Sequence, residues 1–187
     1  MSQTEPKSKQ KDKPIDPFIQ FLEERRDDRA MMASLRRGLA QPRCAEVSRI
    51  VQCWLSEDSP RWREDAYYSV APLFGLHHDD IDHSDYGNMG SHFRDLCDDP
   101  SDPPSNVERR FMQLLASDAN DLDDVLRQAV SLLKSKSVAV NWQRLLNDVG
   151  WWKQSADSRD RVRLEWSRKF WRTNRKPNQP TNQEVNS

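Results

Sequence analysis

The chain of 187 residues is long enough for one domain, or for two small ones, with a real hydrophobic core. Hydrophobic residues make up 35% of it and charged residues 32%, a balance suited to amphipathic helices, and the 5 glycines are too few for a protein built from β-hairpins. The net charge of −1 excludes a uniformly basic protein. The sequence contains no run of 18 apolar residues, so it predicts no membrane-spanning helix.

Both ends of the chain are predicted to be disordered tails. Residues 1–14 and 174–187 have almost no large apolar side chains and are rich in Lys, Asn, Gln, Pro and Ser. The N-terminal tail lacks the apolar segment of a secretion signal. The cysteines Cys44, Cys53 and Cys97 follow no metal-binding spacing. We therefore expect a cytoplasmic protein whose cysteines are reduced and buried.

Residues 15–102 are predicted to form an N-terminal helical subdomain with an acidic loop. Asp16 followed by Pro17 suits a helix start, because a capping side chain precedes a proline that needs no hydrogen-bond partner. The apolar residues that follow recur every three or four positions, which is helical spacing. They are Phe18, Phe21, Leu22, Met31, Met32, Leu35, Leu39, Val47, Ile50, Val51, Trp54 and Leu55.

A further helix is predicted to begin at Pro60, with Ser59 as its cap, which repeats the order of cap and proline. Pro72 and Gly75 predict its end, because proline interrupts a helix and glycine favours the residue after one.

The stretch from His77 to Asp102 holds eight aspartates and few apolar residues, and we interpret it as a loop with one short helix near Ser91–Leu96. His77, His78 and His83 suggest a metal site at first sight. Their spacing matches no helical metal motif, so a polar surface loop is the preferred interpretation.

Residues 103–173 are predicted to form a C-terminal bundle of four amphipathic helices joined by short connections. Capping residues are expected at the start of the first three: Ser105 with Glu108, Asn120, and Asn141. Gly150 predicts the end of the third helix, and the fourth runs from about Ser155. The fold class is therefore all-α, with two packed helical subdomains.

Two arginine pairs lie within apolar helical stretches, Arg36-Arg37 and Arg109-Arg110. A guanidinium group donates two parallel hydrogen bonds to a phosphate and gives up its water readily. The pairs are therefore candidate contacts to a nucleic-acid backbone. A solvated helix face or a structural ion pair is the alternative.

Charge is unevenly distributed along the chain. Residues 55–105 hold 3 Arg against 12 Asp and Glu, net −9, whereas residues 106–187 hold 15 Lys and Arg against 10 Asp and Glu, net +5. On the last helix, Arg161, Arg168 and Arg172 share one face, beside the apolar residues Val162, Trp166 and Phe170. A nucleic-acid surface or a surface for an acidic protein is favoured over a merely solvated face.

Adjacent tryptophans follow Gly150, and a loop or helix start cannot bury both rings of Trp151 and Trp152 equally. One ring could stack on a base beside Lys153, although packing in the interior or at a subunit interface is the preferred interpretation. No residue set suits catalysis: no Ser or Cys has a partner His, no carboxylates are paired in an apolar setting, and no glycine-rich phosphate loop occurs.

In their order, these features resemble the small subunit of the type I-E CRISPR Cascade effector, the CasB family. The resemblance runs from about Phe18 to Trp171. It rests on Leu35-Arg36-Arg37, Phe93-Arg94-Asp95-Leu96, Glu108-Arg109-Arg110-Phe111 with Leu114-Leu115, Val140-Asn141-Trp142 to Leu145-Leu146, and Trp151-Trp152 before a basic helix that ends near Phe170.

The resemblance implies an all-α, non-catalytic subunit, with no cofactor, metal or small-molecule substrate. It implies two copies beside the other Cascade subunits, bound to crRNA and target DNA, in antiviral defence. Phosphate-binding roles carry over to Arg36, Arg37, Arg94, Arg109 and Arg110, and also to Arg144 and Lys153. A helical adaptor that uses its basic helix to dock on an acidic protein, without touching nucleic acid, is the alternative.

Overall fold

The computed structural model of the protein describes residues 15–78, 86–99 and 104–171. These residues form nine α-helices and a short 3-10 turn at Gln52–Trp54, with no strand among them, so the predicted all-α class is confirmed. The helices are α1 Pro17–Glu24, α2 Arg29–Arg37, α3 Ala45–Val51, α4 Arg61–Leu76, α5 Met89–Arg94, α6 Ser105–Ala116, α7 Leu122–Ser135, α8 Trp142–Gln154 and α9 Ala156–Trp171. Both predicted tails lie outside the described residues.

Two of the predicted helix starts are confirmed. The Asp16 carboxylate accepts from the Phe18 amide at 3.0 Å, with Pro17 in the first helical position of α1. The Asn141 side chain accepts from the Arg144 amide at 2.8 Å at the start of α8. Each cap satisfies an amide that has no partner inside its own helix, which fixes where the helix begins.

Three other predicted starts are wrong in detail. Helix α4 begins after Pro60 and α6 after Pro104, and in both helices the proline carbonyl accepts the first backbone bonds. A proline with an extended ψ angle thus stands at the cap position of each helix, and no side chain caps either one. At α7 it is Asp118, rather than Asn120, whose carboxylate accepts from loop amides, those of Asn120 and Asp121.

The predicted helix ends at Pro72 and Gly150 are wrong, because both residues lie inside helices, whereas Gly75 lies one residue before the end of α4 at Leu76. A Cβ atom on Gly75 would come within 2.8 Å of the Leu35 Cβ atom, and one on Gly150 within 3.3 Å of the Trp62 ring. These glycines therefore permit close helix packing, and the packing outweighs their low helix propensity.

The buried apolar residues form one continuous cluster. Helix α4 packs on α2 and α8, and α9 packs on α5 and α8, so helices from both predicted subdomains contact one another. The division at residues 102 and 103 stays a prediction. Trp166 is fully buried, as expected for the apolar face of the last helix, and so is Trp142, whereas Trp54 is half-buried against Phe18 and Phe21. Of the three cysteines that were expected to be buried, Cys97 is buried, Cys44 is half-buried and Cys53, in the 3-10 turn, is exposed.

Helices α5 and α9 touch through their backbones. The short helix predicted near Ser91–Leu96 is α5, and a Cβ atom on its Gly90 would lie 1.9 Å from the Trp166 carbonyl oxygen. Phe111 of α6 stacks on Phe170 of α9, with ring centroids 4.2 Å apart. Helix α9 is thus held between α5 and α6.

Two buried histidines hold the segment between α7 and α8. The Nε2 atom of His77 lies 2.7 Å from the Val138 carbonyl oxygen, and the Nε2 atom of His92 accepts from the Asn141 amide at 3.1 Å. Burial, with a smaller contribution from His77, lowers the pKa of His92 to about 4, so the ring is neutral and able to accept. The prediction of a polar surface loop is therefore wrong for His77, whereas His83 lies outside the described residues.

Candidate nucleic-acid interface

Helix α6 presents the pair Arg109 and Arg110 to solvent. Its opposite face buries Val107, Phe111 and Leu114 in the core. Because Phe111 is fully buried between Phe93 and Phe170, the helix has a fixed position. The two guanidinium groups therefore project from a rigid support, and their binding to a nucleic-acid backbone stays a prediction.

A shallow groove of about 360 Å³ lies between α6 and α7. Its lining is Arg110, Arg127, Gln128, Ser131, Leu132 and Ser135. No carboxylate lines it, and two guanidinium groups and one amide can donate hydrogen bonds into it. The hydroxyls of Ser131 and Ser135 donate instead to backbone carbonyls of α7, so they offer acceptor oxygens only. The groove suits an anion with several oxygen acceptors, such as a phosphodiester.

Arg127 is the residue of this groove that the sequence reasoning missed. Its guanidinium lies 3.5 Å from the Asp124 carboxylate, an exposed pair of small energetic value. It stands alone in the sequence, 17 residues after Arg110, and becomes its neighbour only because α6 and α7 pack together. The sequence could have placed Arg127 near Arg110 only if α6 and α7 were interpreted as an antiparallel helical hairpin.

The pair on α2 is also exposed, but its two members differ. Arg37 donates to the Glu46 carboxylate on α3 at 2.5 Å, which matches the alternative of a structural ion pair. Arg36 makes no such bond within the described part of the chain. Arg36 is therefore the member of the pair that can meet a phosphate without first giving up a carboxylate.

Arg144 and Lys153, both on α8, bind carboxylates of their own helix and of neighbouring helices. Arg144 donates to Asp148 at 2.7 Å and to Glu165 of α9 in a short bond. The Lys153 side chain is only 9% exposed and binds Asp123 of α7 at 2.9 Å. Their nucleic-acid roles stay predictions, and both side chains already join helices.

Asp148 is the carboxylate that binds Arg144 from within the same helix. It is buried and also accepts from the Trp166 indole at 2.7 Å. Burial raises the pKa of Asp148 to about 6, and the nearby Arg144 opposes this rise. Because about 6 is still below 7, the carboxylate is ionised at neutral pH.

The remaining candidate arginines are distributed over α5 and α9. Arg161 and Arg168 are exposed on α9, whose predicted apolar face of Val162, Trp166 and Phe170 is buried. Arg94 on α5 is half-buried. Arg172 lies outside the described residues.

Within the described residues, no three or more His, Cys, Asp or Glu side chains are arranged to hold a metal ion. The helices of the same residues include none that is long and apolar enough to cross a membrane.

A comparison with known families assigns the chain. The model of the family described as CRISPR-associated protein Cse2 matches residues 31–171. The chain belongs to the Cse2 family. The resemblance to the CasB small subunits of Cascade is thereby confirmed. The matched range runs from α2 to the end of α9 and contains both walls of the α6–α7 groove.

Individual relatives agree with this assignment. The CRISPR-associated protein Cse2 of Thermus thermophilus is 28% identical over 164 residues, covering 84% of this chain and 90% of the relative. The crystal structure of CasB from Thermus thermophilus has a TM-score of 0.69 at 27% identity, covering 84% of this chain and 97% of that one. A chain of a CRISPR RNA-guided surveillance complex shares the fold, with a TM-score of 0.67 at 19% identity, covering 83% of this chain and 92% of that one.

Proposed function

We propose that this Cse2-family chain is a non-catalytic, nucleic-acid-binding subunit of a CRISPR RNA-guided complex. Two copies, beside the other Cascade subunits, hold the heteroduplex of crRNA and target DNA and the displaced DNA strand. The observation that carries the proposal is the α6–α7 groove, whose lining presents two guanidinium groups and no carboxylate. The fold shared with a chain of a surveillance complex supports the assembly with other subunits.

The physical role follows from the energetics of strand exchange. The heteroduplex that forms is about as stable as the DNA duplex that it replaces, so a few protein contacts decide whether the target stays open. Contacts from Arg109, Arg110 and Arg127 to phosphates release counterions whatever the base sequence is. Arg36, Arg161 and Arg168 are exposed on other helices and are further candidate phosphate contacts.

Binding of the full chain to single-stranded and duplex DNA over a range of salt concentrations tests the contact. Changing Arg109 and Arg110 to Ala should weaken binding similarly for all sequences. The slope of log affinity against log salt should flatten by about 0.7 to 0.9 per lost phosphate contact. Arg127→Ala alone should remove about one such contact, since its guanidinium lines the same groove.

Arg25 and Arg26 provide the matched control, because they are an exposed adjacent pair on another part of the chain. Replacing both with Ala removes the same charge. The slope of log affinity against log salt should then change by less than about half of the amount that one lost phosphate contact causes. Equal effects of the two double variants would mean that only net charge matters, and would contradict a localised interface.

A guide-loaded complex that lacks this chain tests the mechanism. Adding the chain should slow re-annealing of the opened target duplex, and the effect should shrink as salt rises. Nuclease activity of the highly purified chain that requires a metal, and that is lost on changing His77, His78 or His83, would contradict the non-catalytic role.

The exposed face of α9 favours a second candidate function, docking on an acidic protein. Leu164 is 50% and Trp171 40% exposed, and Arg161 and Arg168 lie beside them on the same helix. Arginine and tryptophan are the residues that most often dominate protein interfaces. Under this alternative, Leu164→Ala with Arg168→Ala would prevent assembly of the complex, and the isolated chain would bind DNA no better than a neutral protein.

A further inference from the structure

Two tryptophans from different helices form a ring pair at the surface. Trp62 of α4 and Trp151 of α8 have ring centroids 6.4 Å apart and planes within 14° of parallel. Trp62 is half-buried and Trp151 is 49% exposed. The predicted loop or helix start at this position is wrong, because Trp151 and Trp152 both lie inside α8, with Trp152 in the core.

The pair is rigidly supported. The Trp62 ring lies over the backbone of α8 at Gly150, where a Cβ atom would come within 3.3 Å of it. Glycine inside a helix is less stable than alanine, so a glycine at this position favours the placement of the Trp62 ring at a cost to the helix. Beneath it, Trp152 packs on Trp166 with ring centroids 5.0 Å apart. Both rings are therefore already fixed in place before a ligand binds.

The surroundings of the pair are polar. Asn147 and Gln154, one turn before and one turn after Trp151, are the other exposed side chains on that face of α8. Arg61, next to Trp62 in the chain, is exposed and makes no ion pair among the described residues. Amides donate to and accept from base edges, aromatic faces stack on bases, and a guanidinium binds phosphate.

We infer that Trp62 and Trp151 form a stacking platform for an unpaired nucleobase of a single strand. The amides of Asn147 and Gln154 meet the edges of the base, and the guanidinium of Arg61 meets its phosphate. This inference rests on the proposed function and adds to it a contact to bases rather than to the backbone. The strand that supplies unpaired bases is the displaced DNA strand, because the target strand is paired with the guide.

A protein occupant fits the platform less well. A protein contact of this kind needs apolar neighbours that exclude water around the anchoring tryptophan. Among the described residues, Trp151 is the single exposed large apolar side chain on α4 or α8, and the others lie on separate parts of the chain. The complementary surface is therefore an aromatic face with hydrogen-bonding edges, which is the surface of a base.

Trp151→Ala in the full chain tests the inference, with an oligothymidylate of about 20 nucleotides as the single-stranded probe and a duplex of the same length beside it. Stacking of one base predicts a loss of affinity for the single strand of roughly fivefold to 150-fold. The salt slope and the affinity for the duplex should stay unchanged, because no phosphate contact is removed and duplex bases are already stacked. Trp151→Phe should recover most of the loss.

Ile15→Ala is the matched control, because it truncates an apolar side chain that is also half-exposed, just before α1 and outside every proposed surface. It should leave both affinities unchanged. Thermal unfolding of each variant checks that the fold persists, which is expected because about half of the Trp151 surface is exposed. Quenching of tryptophan fluorescence by the oligonucleotide should decrease in Trp151→Ala and stay the same in Ile15→Ala.

The possible outcomes separate this inference from the proposed function. If Trp151→Ala binds the single strand normally while the Arg109 and Arg110 variant binds weakly, the platform is wrong and the function stands. If the original chain binds neither probe, the function itself fails. Equal losses for single strand and duplex, or normal DNA binding combined with failure to join the guide-loaded complex, would overturn the inference, the latter in favour of a protein contact.

Discussion

Replacing Gly90 with alanine should destabilise the protein, although alanine normally stabilises a helix. The added Cβ atom would lie 1.9 Å from the Trp166 carbonyl oxygen, 2.7 Å from its carbonyl carbon and 3.0 Å from its Cα atom. All three are backbone atoms, which cannot rotate away as a side chain can. Helices α5 and α9 must therefore move apart by more than about 1 Å to reach an ordinary contact of roughly 3.5 Å.

The magnitude follows from the balance of two effects. The gain in helix propensity is at most about 1 kcal/mol, whereas forcing an extra carbon into a packed contact costs roughly 1–3 kcal/mol and more when backbone must move. Separation of α9 also loosens Phe170 from Phe111, which stack at 4.2 Å. We expect a net loss of about 2 kcal/mol, which lowers the melting temperature by roughly 4–8 °C for a chain of this size.

Thermal unfolding followed by circular dichroism measures this loss. Gly150→Ala is the matched control, because its Cβ atom would meet only the edge of the Trp62 ring, at 3.3 Å, and a ring can shift. Its effect should stay within about 1 kcal/mol. A Gly90→Ala protein as stable as the original, or more stable, would refute the backbone contact between α5 and α9.

Three further changes test the core and its charges. Phe111→Ala and Trp166→Ala each remove a fully buried ring and should cost roughly 3–5 kcal/mol in chemical unfolding, whereas a loss below about 1 kcal/mol would contradict their packing. Since the pKa of His92 is about 4 when folded and near 6.5 when unfolded, the unfolded chain binds the extra proton between those values. The stabilising contribution of His92 is therefore complete above pH 6.5 and is lost as pH falls towards 4, by about 3 kcal/mol in total. His92→Gln still accepts from the Asn141 amide and should not show this loss, and its comparison with the original protein cancels the opposite effect of Asp148, whose pKa is raised.

The helices could be predicted from the sequence because apolar spacing reflects one face of one element. The stripe of Val162, Trp166 and Phe170 on α9 is buried as predicted. The end of α8 could not be predicted, because Gly150 lies inside the helix and acts through Trp62 of α4. A local signal for a helix end and a requirement for close packing look the same in a single sequence, and only the fold distinguishes them.

The same limit applies to the candidate site. The exposed positions of Arg109 and Arg110 follow from the burial of Phe111 beside them, so the sequence was sufficient. Asp148 lies one turn after Arg144 on α8, a spacing that the sequence does show. The partners Glu165 of Arg144 and Asp123 of Lys153 lie on other helices, 21 and 30 residues away. Whether an arginine or a lysine is available to a ligand depends on such contacts, which no spacing within one helix reveals.

The two proposed contacts to nucleic acid should act independently. Arg109 and Arg110 stand on α6, which packs on α5 and α7, whereas Trp151 stands on α8, which packs on α4 and α9. Changes at sites without shared partners usually add within about 0.5 kcal/mol, so the triple variant should lose affinity by the product of the separate losses. Raising the salt concentration should reduce the part due to the arginines and leave the part due to Trp151, because stacking releases no counterions. A coupling above about 1 kcal/mol in this cycle, measured with the single-stranded probe, would mean that one change distorts the other site, and would contradict two separate surfaces on a rigid helical body.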